Sequence, residues 1–154
     1  MTQTHILFIC HGNICRSPAA RFVFEHLAKE RRLNAQADSA AVSYEEIGNP
    51  VYPPMAAALR RRGIPYGSHA ARRTEKNDYG RYDLILAMDR DNISRLIRIY
   101  GGDPEHKIAL LMKSCGEDRD VEDPWYTRDF DGALEDIVRG CTALADRLEG
   151  RKNL

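Results

Sequence analysis

Strands alternating with helices along the 154-residue chain predict an α/β domain built on a parallel sheet covered on both faces. Two observations carry that reading. Ile6–Ile9, Leu84–Met88 and Ile108–Met112 are short, continuous apolar runs of the kind found in strands buried on both sides. Between and after them, apolar residues recur at helical spacing.

The elements follow in order. After the strand Ile6–Ile9 comes a loop, Cys10–Arg16, and then Ser17-Pro18, which reads as a serine N-cap with proline at the first helical position. Ala20, Val23, Phe24 and Leu27 continue that helix. Ala35–Val42 reads as a weak strand, and Pro53–Arg62 as a helix ended by Gly63. Leu84–Met88 is the next strand. Ile93, Leu96, Ile97 and Tyr100 mark a helix stopped by Gly101-Gly102, and Ile108–Met112 follows as a strand. Leu134, Ile137, Val138, Cys141, Leu144, Ala145 and Leu148 form the apolar stripe of a last helix. Two loop-rich stretches remain, Tyr44–Pro54 and Lys113–Asp131; loops of that length in a compact domain are often functional. The chain is read as one domain, residues 1–154, without repeats or linkers.

Lysine plus arginine and aspartate plus glutamate both total 23, which argues against a general nucleic-acid binder. Affinity for an anion must therefore come from a local site. The four cysteines, Cys10, Cys15, Cys115 and Cys141, are unevenly spaced and do not form a disulfide framework. No charged leader precedes a long apolar stretch, and Ile6–Cys10 is too short for a signal core or a membrane span. A reduced, cytoplasmic setting is expected.

Cys10-His11-Gly12-Asn13-Ile14-Cys15-Arg16-Ser17 lies between a buried strand and a helix start. Ligands of open α/β sheets bind at the carboxyl ends of strands. Loop N–H groups and the positive end of a helix make an anion site there. A cysteine so placed beside a cation tends to be a thiolate and a nucleophile. Arg16 supplies a planar fork for two phosphate oxygens and meets charge developing in the transition state. Gly12 permits a sharp turn and Asn13 a left-handed conformation. A metal site built from Cys10, Cys15 and His11 would have too few ligands. The loop therefore reads as a phosphate cradle around a cysteine nucleophile.

Cys10-x5-Arg16-Ser17-Pro18, joined to Asp123-Pro124-Trp125-Tyr126 late in the chain, resembles the low-molecular-weight protein-tyrosine phosphatases. Asp38-Ser39-Ala40, His69-x-Ala71-Arg72 and Met88-Asp89 extend the resemblance over nearly the whole chain. It implies a central four-stranded parallel sheet with helices on both faces, and catalysis without metal or cofactor. It implies that Cys10 attacks a phosphate ester to form a phosphocysteine. Asp123 then protonates the phenolic leaving group and later acts as base for the attacking water. An acid above the phosphate loop is what such chemistry needs, and Pro124 holds the residue before it extended. By spacing alone Asp118, Asp120, Asp129 and Asp131 are rivals; only the resemblance selects Asp123.

The resemblance further implies that His11, Gly12, Asn13, Ile14, Cys15, Arg16 and Ser17 surround the phosphate. Asn13, Ser17, Ser39 and His69 would form a hydrogen-bond network under it. Ile14, Tyr44, Glu45, Trp125 and Tyr126 would wall the cleft for a flat ring. Tyr126 resembles a position that can itself be phosphorylated. Cys15 could pair with Cys10 under oxidation and protect the nucleophile; Cys141 reads as core. The expected partner is a phosphotyrosine protein or a small aryl phosphate, with no nucleic acid and no membrane. A monomer with at most weak self-association is expected.

Two departures stand out. Many members carry tryptophan where Glu45 falls, so one aromatic wall is missing or supplied by Tyr44, and Glu45 and Glu46 would repel acidic residues beside a phosphotyrosine. His11 replaces a small apolar residue. Arsenate reductases of this fold need two further redox cysteines, and Tyr66–Leu111 holds none. Phosphoarginine hydrolases tend to have threonine where this chain has Ile14, which suits an aromatic ring better.

Overall fold

The structure is a computed structural model that describes residues 3–152; the remaining terminal residues of the expected 1–154 domain lie outside it. Strand β1 (Thr4–Cys10) pairs in parallel with β2 (Ala35–Ala41) on one side and β3 (Leu84–Ala87) on the other. Strand β4 (Ile108–Leu110) pairs in parallel with β3, which gives the four-stranded order β2-β1-β3-β4 among the described residues. The order reverses at β1, so the loop after β1 leaves the sheet at its switch point, where crevices form in such sheets.

The unbroken apolar run of β1 has a direct cause. Ile6, Phe8 and Cys10 face a core shared with α1 (Arg16–Arg31), α2 (Pro53–Arg62) and α5 (Phe130–Lys152). Leu7 and Ile9 face the other core, with Leu96 and Tyr100 of α3 (Arg90–Tyr100). Ile6, Leu7, Phe8 and Ile9 are all fully buried, each worth about 1.5–3 kcal/mol of apolar burial. Cys10 is thus held at the end of the strand least able to move.

Several local expectations need correction. Ser17 does not cap α1: the helix begins at Arg16, Cys15 is the capping residue, and the Cys15 carbonyl accepts from Ala19 N–H at 3.2 Å. Pro18 falls in the third helical position, where its missing N–H would have lacked a partner anyway. The last strand ends at Leu110, and Leu111–Cys115 turns into a 3₁₀ segment closed by left-handed Gly116. The final helix starts at Phe130, before the first residue of its apolar stripe. A 3₁₀ turn at Lys76–Gly80, secured by a reciprocal Glu75–Asp78 capping box, had no apolar pattern to reveal it. By contrast, α2 spans Pro53–Arg62 with left-handed Gly63 as its stop, as read.

Candidate active site

The loop after β1 folds over the start of α1, whose first turn has no acidic residue and whose cap makes no side-chain hydrogen bond. The orphan N–H groups of that helix end are left for an anion. Cys10 Sγ lies 2.9 Å from Ser17 Oγ. Asn13 Nδ2 donates to the same Ser17 oxygen at 2.8 Å. Asn13 Oδ1 in turn accepts from Arg72 N–H at 3.1 Å, which orients the amide. With Asn13 donating to it, the Ser17 hydroxyl keeps its own proton available for the Cys10 sulfur.

Asn13 sits at φ 59°, a left-handed conformation that asparagine tolerates better than most residues. Its carbonyl accepts from His69 Nε2–H at 2.6 Å. Burial holds the His69 pKa below the ordinary imidazole value, outweighing the pull of that hydrogen bond. Ser39 does not join this network: its buried hydroxyl has no hydrogen-bond partner among the described residues.

Arg16 is 2% exposed and fills the floor of the site. Its Nη1 donates to Asp89 Oδ2 at 2.9 Å and to the Val121 carbonyl at 2.7 Å. Nη2 lies 3.4 Å from Asp123 Oδ2. Burial opposes its charge, but Cys10, Asp89 and Asp123 more than offset that and raise its pKa above the usual arginine value. A buried cation needs such partners, since an uncompensated one costs several kcal/mol. Asp89, which also caps α3 by accepting from Asn92 N–H at 2.8 Å, was legible only as a motif match and not as the anchor of Arg16.

Asp123 caps the short helix α4 (Pro124–Thr127), with Oδ1 accepting from Trp125 N–H at 3.0 Å. Its carboxylate therefore overhangs the loop with one oxygen turned to Arg16. Of the rival acids, Asp118 and Asp120 pair with Arg90, Asp131 with Arg61, and Asp129 accepts from Gly132 N–H. None of the four lines the cleft.

The cleft above Cys10 measures about 210 Å³. His11, Gly12, Ile14, Cys15 and Arg16 line it, together with Glu45, Glu46, Asp123, Trp125 and Tyr126. Tyr44, expected on a wall, is 67% exposed and outside the lining; its ring lies under the Arg73 guanidinium, 4.3 Å from the centroid. Tyr52 and Phe130 line the cleft instead. Tyr52 N–H donates to the Ile14 carbonyl at 2.7 Å, and its ring meets Trp125 and Phe130 at centroid distances of 5.4 and 5.8 Å. The available signal was an aromatic at a helix N-cap, a position that aromatics rarely serve.

Burial pushes the Cys15 thiol pKa up, with the Cys10 charge adding to it. Cys141 is buried against α1, and Cys115 bonds to Met112 and Glu117; neither lines the cleft. No helix among the described residues is long and apolar enough to cross a membrane, and no group of three or more metal-binding side chains occurs among them.

The sequence model of the low molecular weight phosphotyrosine protein phosphatases matches residues 5–154. The chain is 36% identical to the low molecular weight protein-tyrosine-phosphatase YfkJ of Bacillus subtilis, over 97% of this chain and 98% of that one. It is 38% identical to the human low molecular weight phosphotyrosine protein phosphatase, over 92% and 94%. The crystal structure of YfkJ superposes with a TM-score of 0.93 over 99% of this chain and 98% of that one. Vibrio vulnificus Wzb in complex with benzylphosphonate superposes at 0.84, with 26% identity over 95% of this chain and 99% of that one. The chain belongs to the low molecular weight phosphotyrosine protein phosphatases, and is a hydrolase of that kind.

Proposed function

We propose that the chain hydrolyses phosphotyrosine and related aryl phosphate monoesters through a phosphocysteine on Cys10. The observation that carries this reading is the arrangement at the floor: Cys10 Sγ 2.9 Å from the Ser17 hydroxyl, beside a buried arginine and a helix end without a side-chain cap. In the first step the Cys10 thiolate attacks phosphorus while the phenolic oxygen leaves with a proton from Asp123. Arg16 and the loop N–H groups hold the equatorial oxygens as their charge develops. In the second, Asp123 takes a proton from water, which attacks the phosphocysteine and releases inorganic phosphate and free Cys10.

The walls favour an aryl group. Ile14, Tyr52, Trp125 and Tyr126 give the cleft apolar and aromatic surface suited to a ring, and Wzb holds a benzylphosphonate on the same fold. The two cysteines outside the cleft leave arsenate reduction without its redox relay. Cys15, beside Cys10 in the lining, is the partner for a reversible disulfide when a peroxide oxidises Cys10 to a sulfenic acid. A monomeric, cytoplasmic enzyme is the accompanying reading.

The test is hydrolysis of a phosphotyrosine peptide, with an acid quench to trap phosphate on the Cys10 peptide for mass spectrometry. Cys10→Ser should reduce kcat by about 10⁴-fold or more. Asp123→Asn should reduce it about 10²- to 10³-fold for a phenolic leaving group. Full activity of Cys10→Ser, or no trapped phosphate on Cys10 in any quench, would overturn the reading.

A further inference from the structure

The cleft is chemically lopsided. Ile14, Tyr52, Trp125 and Tyr126 present ring and hydrocarbon, whereas Glu45 and Glu46 put two carboxylates in the same lining. Both carboxylates have a neighbour, Glu46 the more firmly. Glu46 Oε2 accepts from Asn49 Nδ2 at 2.6 Å, and its stem lies against Gly12, where even an added Cβ would come within 3.2 Å of Glu46 Cγ. Glu45 Oε2 lies 3.0 Å from His11 Nε2, at a position 67% exposed on its side chain. The groups beside them supply no permanent positive charge: Asn49 is neutral, His11 is an imidazole, and Asp123 in the same lining adds a further carboxylate. Arg16, the cation of the site, is 2% exposed on the floor and already paired with Asp89 and Asp123.

A phosphotyrosine seated with its phosphate at Cys10 must run its own backbone and neighbouring residues out past that rim. We propose that Glu45 and Glu46 make this enzyme selective for phosphotyrosine flanked by lysine or arginine. The inference rests on the phosphotyrosine reading above and adds its substrate class. The floor attracts any phosphate alike, so a flanking cation is not needed for chemistry; it is recognised outside the phosphate pocket by the two carboxylates. A flanking glutamate meets the same wall as a like charge. Because the rim is exposed, the selection is moderate and screened by salt.

The experiment compares two phosphotyrosine peptides, identical except for lysine or glutamate at the two positions on either side of the phosphotyrosine, with p-nitrophenyl phosphate as a substrate that has no flanks. At pH 8 and low salt, kcat/KM should favour the lysine peptide by about fivefold or more, as expected for a few exposed charge pairs. The ratio should fall toward one in Glu45→Gln/Glu46→Gln and at high salt, and should reverse in Glu45→Lys/Glu46→Lys. Equal kcat/KM for the two peptides, or a glutamate preference, with p-nitrophenyl phosphate still turned over, overturns the rim proposal alone. Failure to hydrolyse any of the three substrates overturns the phosphatase reading and this proposal with it.

Discussion

The floor and the rim of one cleft are built by opposite rules. On the floor Asn13 and Ser17 are fully buried and Arg16 nearly so, and each has its hydrogen-bonding groups tied to named partners. At the rim Glu45 is 67%, Trp125 54% and Tyr126 82% exposed. Buried polar groups are costly unless satisfied, so the floor has one arrangement available to it. Exposed side chains lose little on substitution, so the rim is where one member of a fold family can differ from another. On the proposed reading, chemistry is placed where variation is expensive and selectivity where it is cheap.

That contrast yields a graded set of outcomes. Arg16→Lys breaks it most sharply. Lysine keeps the charge but not the fork that reaches Asp89 and the Val121 carbonyl and, on the proposed reading, a phosphate as well. Its kcat should fall about 10³-fold with a lower Tm, measured by steady-state kinetics and thermal unfolding. Asn13→Ala is next. It removes the donor that orients the Ser17 hydroxyl and puts alanine at φ 59°. A stability loss of about 1–3 kcal/mol is expected in urea unfolding, with kcat down about tenfold. Trp125→Ala should be mildest. KM for a phosphotyrosine peptide should rise several-fold, with the fold's stability changed by about 0.5 kcal/mol or less. A stability loss from Trp125→Ala as large as that from Asn13→Ala would erase the distinction between floor and rim.

The same division governs what could be read from the chain. Cys10 and Arg16 were legible because a buried strand, a seven-residue loop and a helix start are local in sequence. Asp123 needed a family motif, since four other aspartates share its neighbourhood and only its place above the loop separates them. Ser17 was misread as a cap because a serine before proline has that local meaning; its hydroxyl is taken by Cys10 and Asn13, contacts no local rule contains. Leu111 and Met112 are apolar in either a strand or a 3₁₀ turn, so β4 was drawn too long. Tyr52 and Phe130 were missed, and Tyr44 wrongly favoured, because which aromatics meet across a cleft depends on how α2 and α5 dock.

Arg16 gathers three partners from two distant stretches of chain: Asp89 lies 73 residues away, Val121 105, and Asp123 just beyond Val121. Its guanidinium is therefore correctly oriented only after the second half of the polypeptide has docked. A renaturing chain should regain its helical circular dichroism before its turnover. Catalytic activity thus serves as a clock for the last stage of assembly, and a chain stalled with only β1, β2 and α1 in place is a silent enzyme.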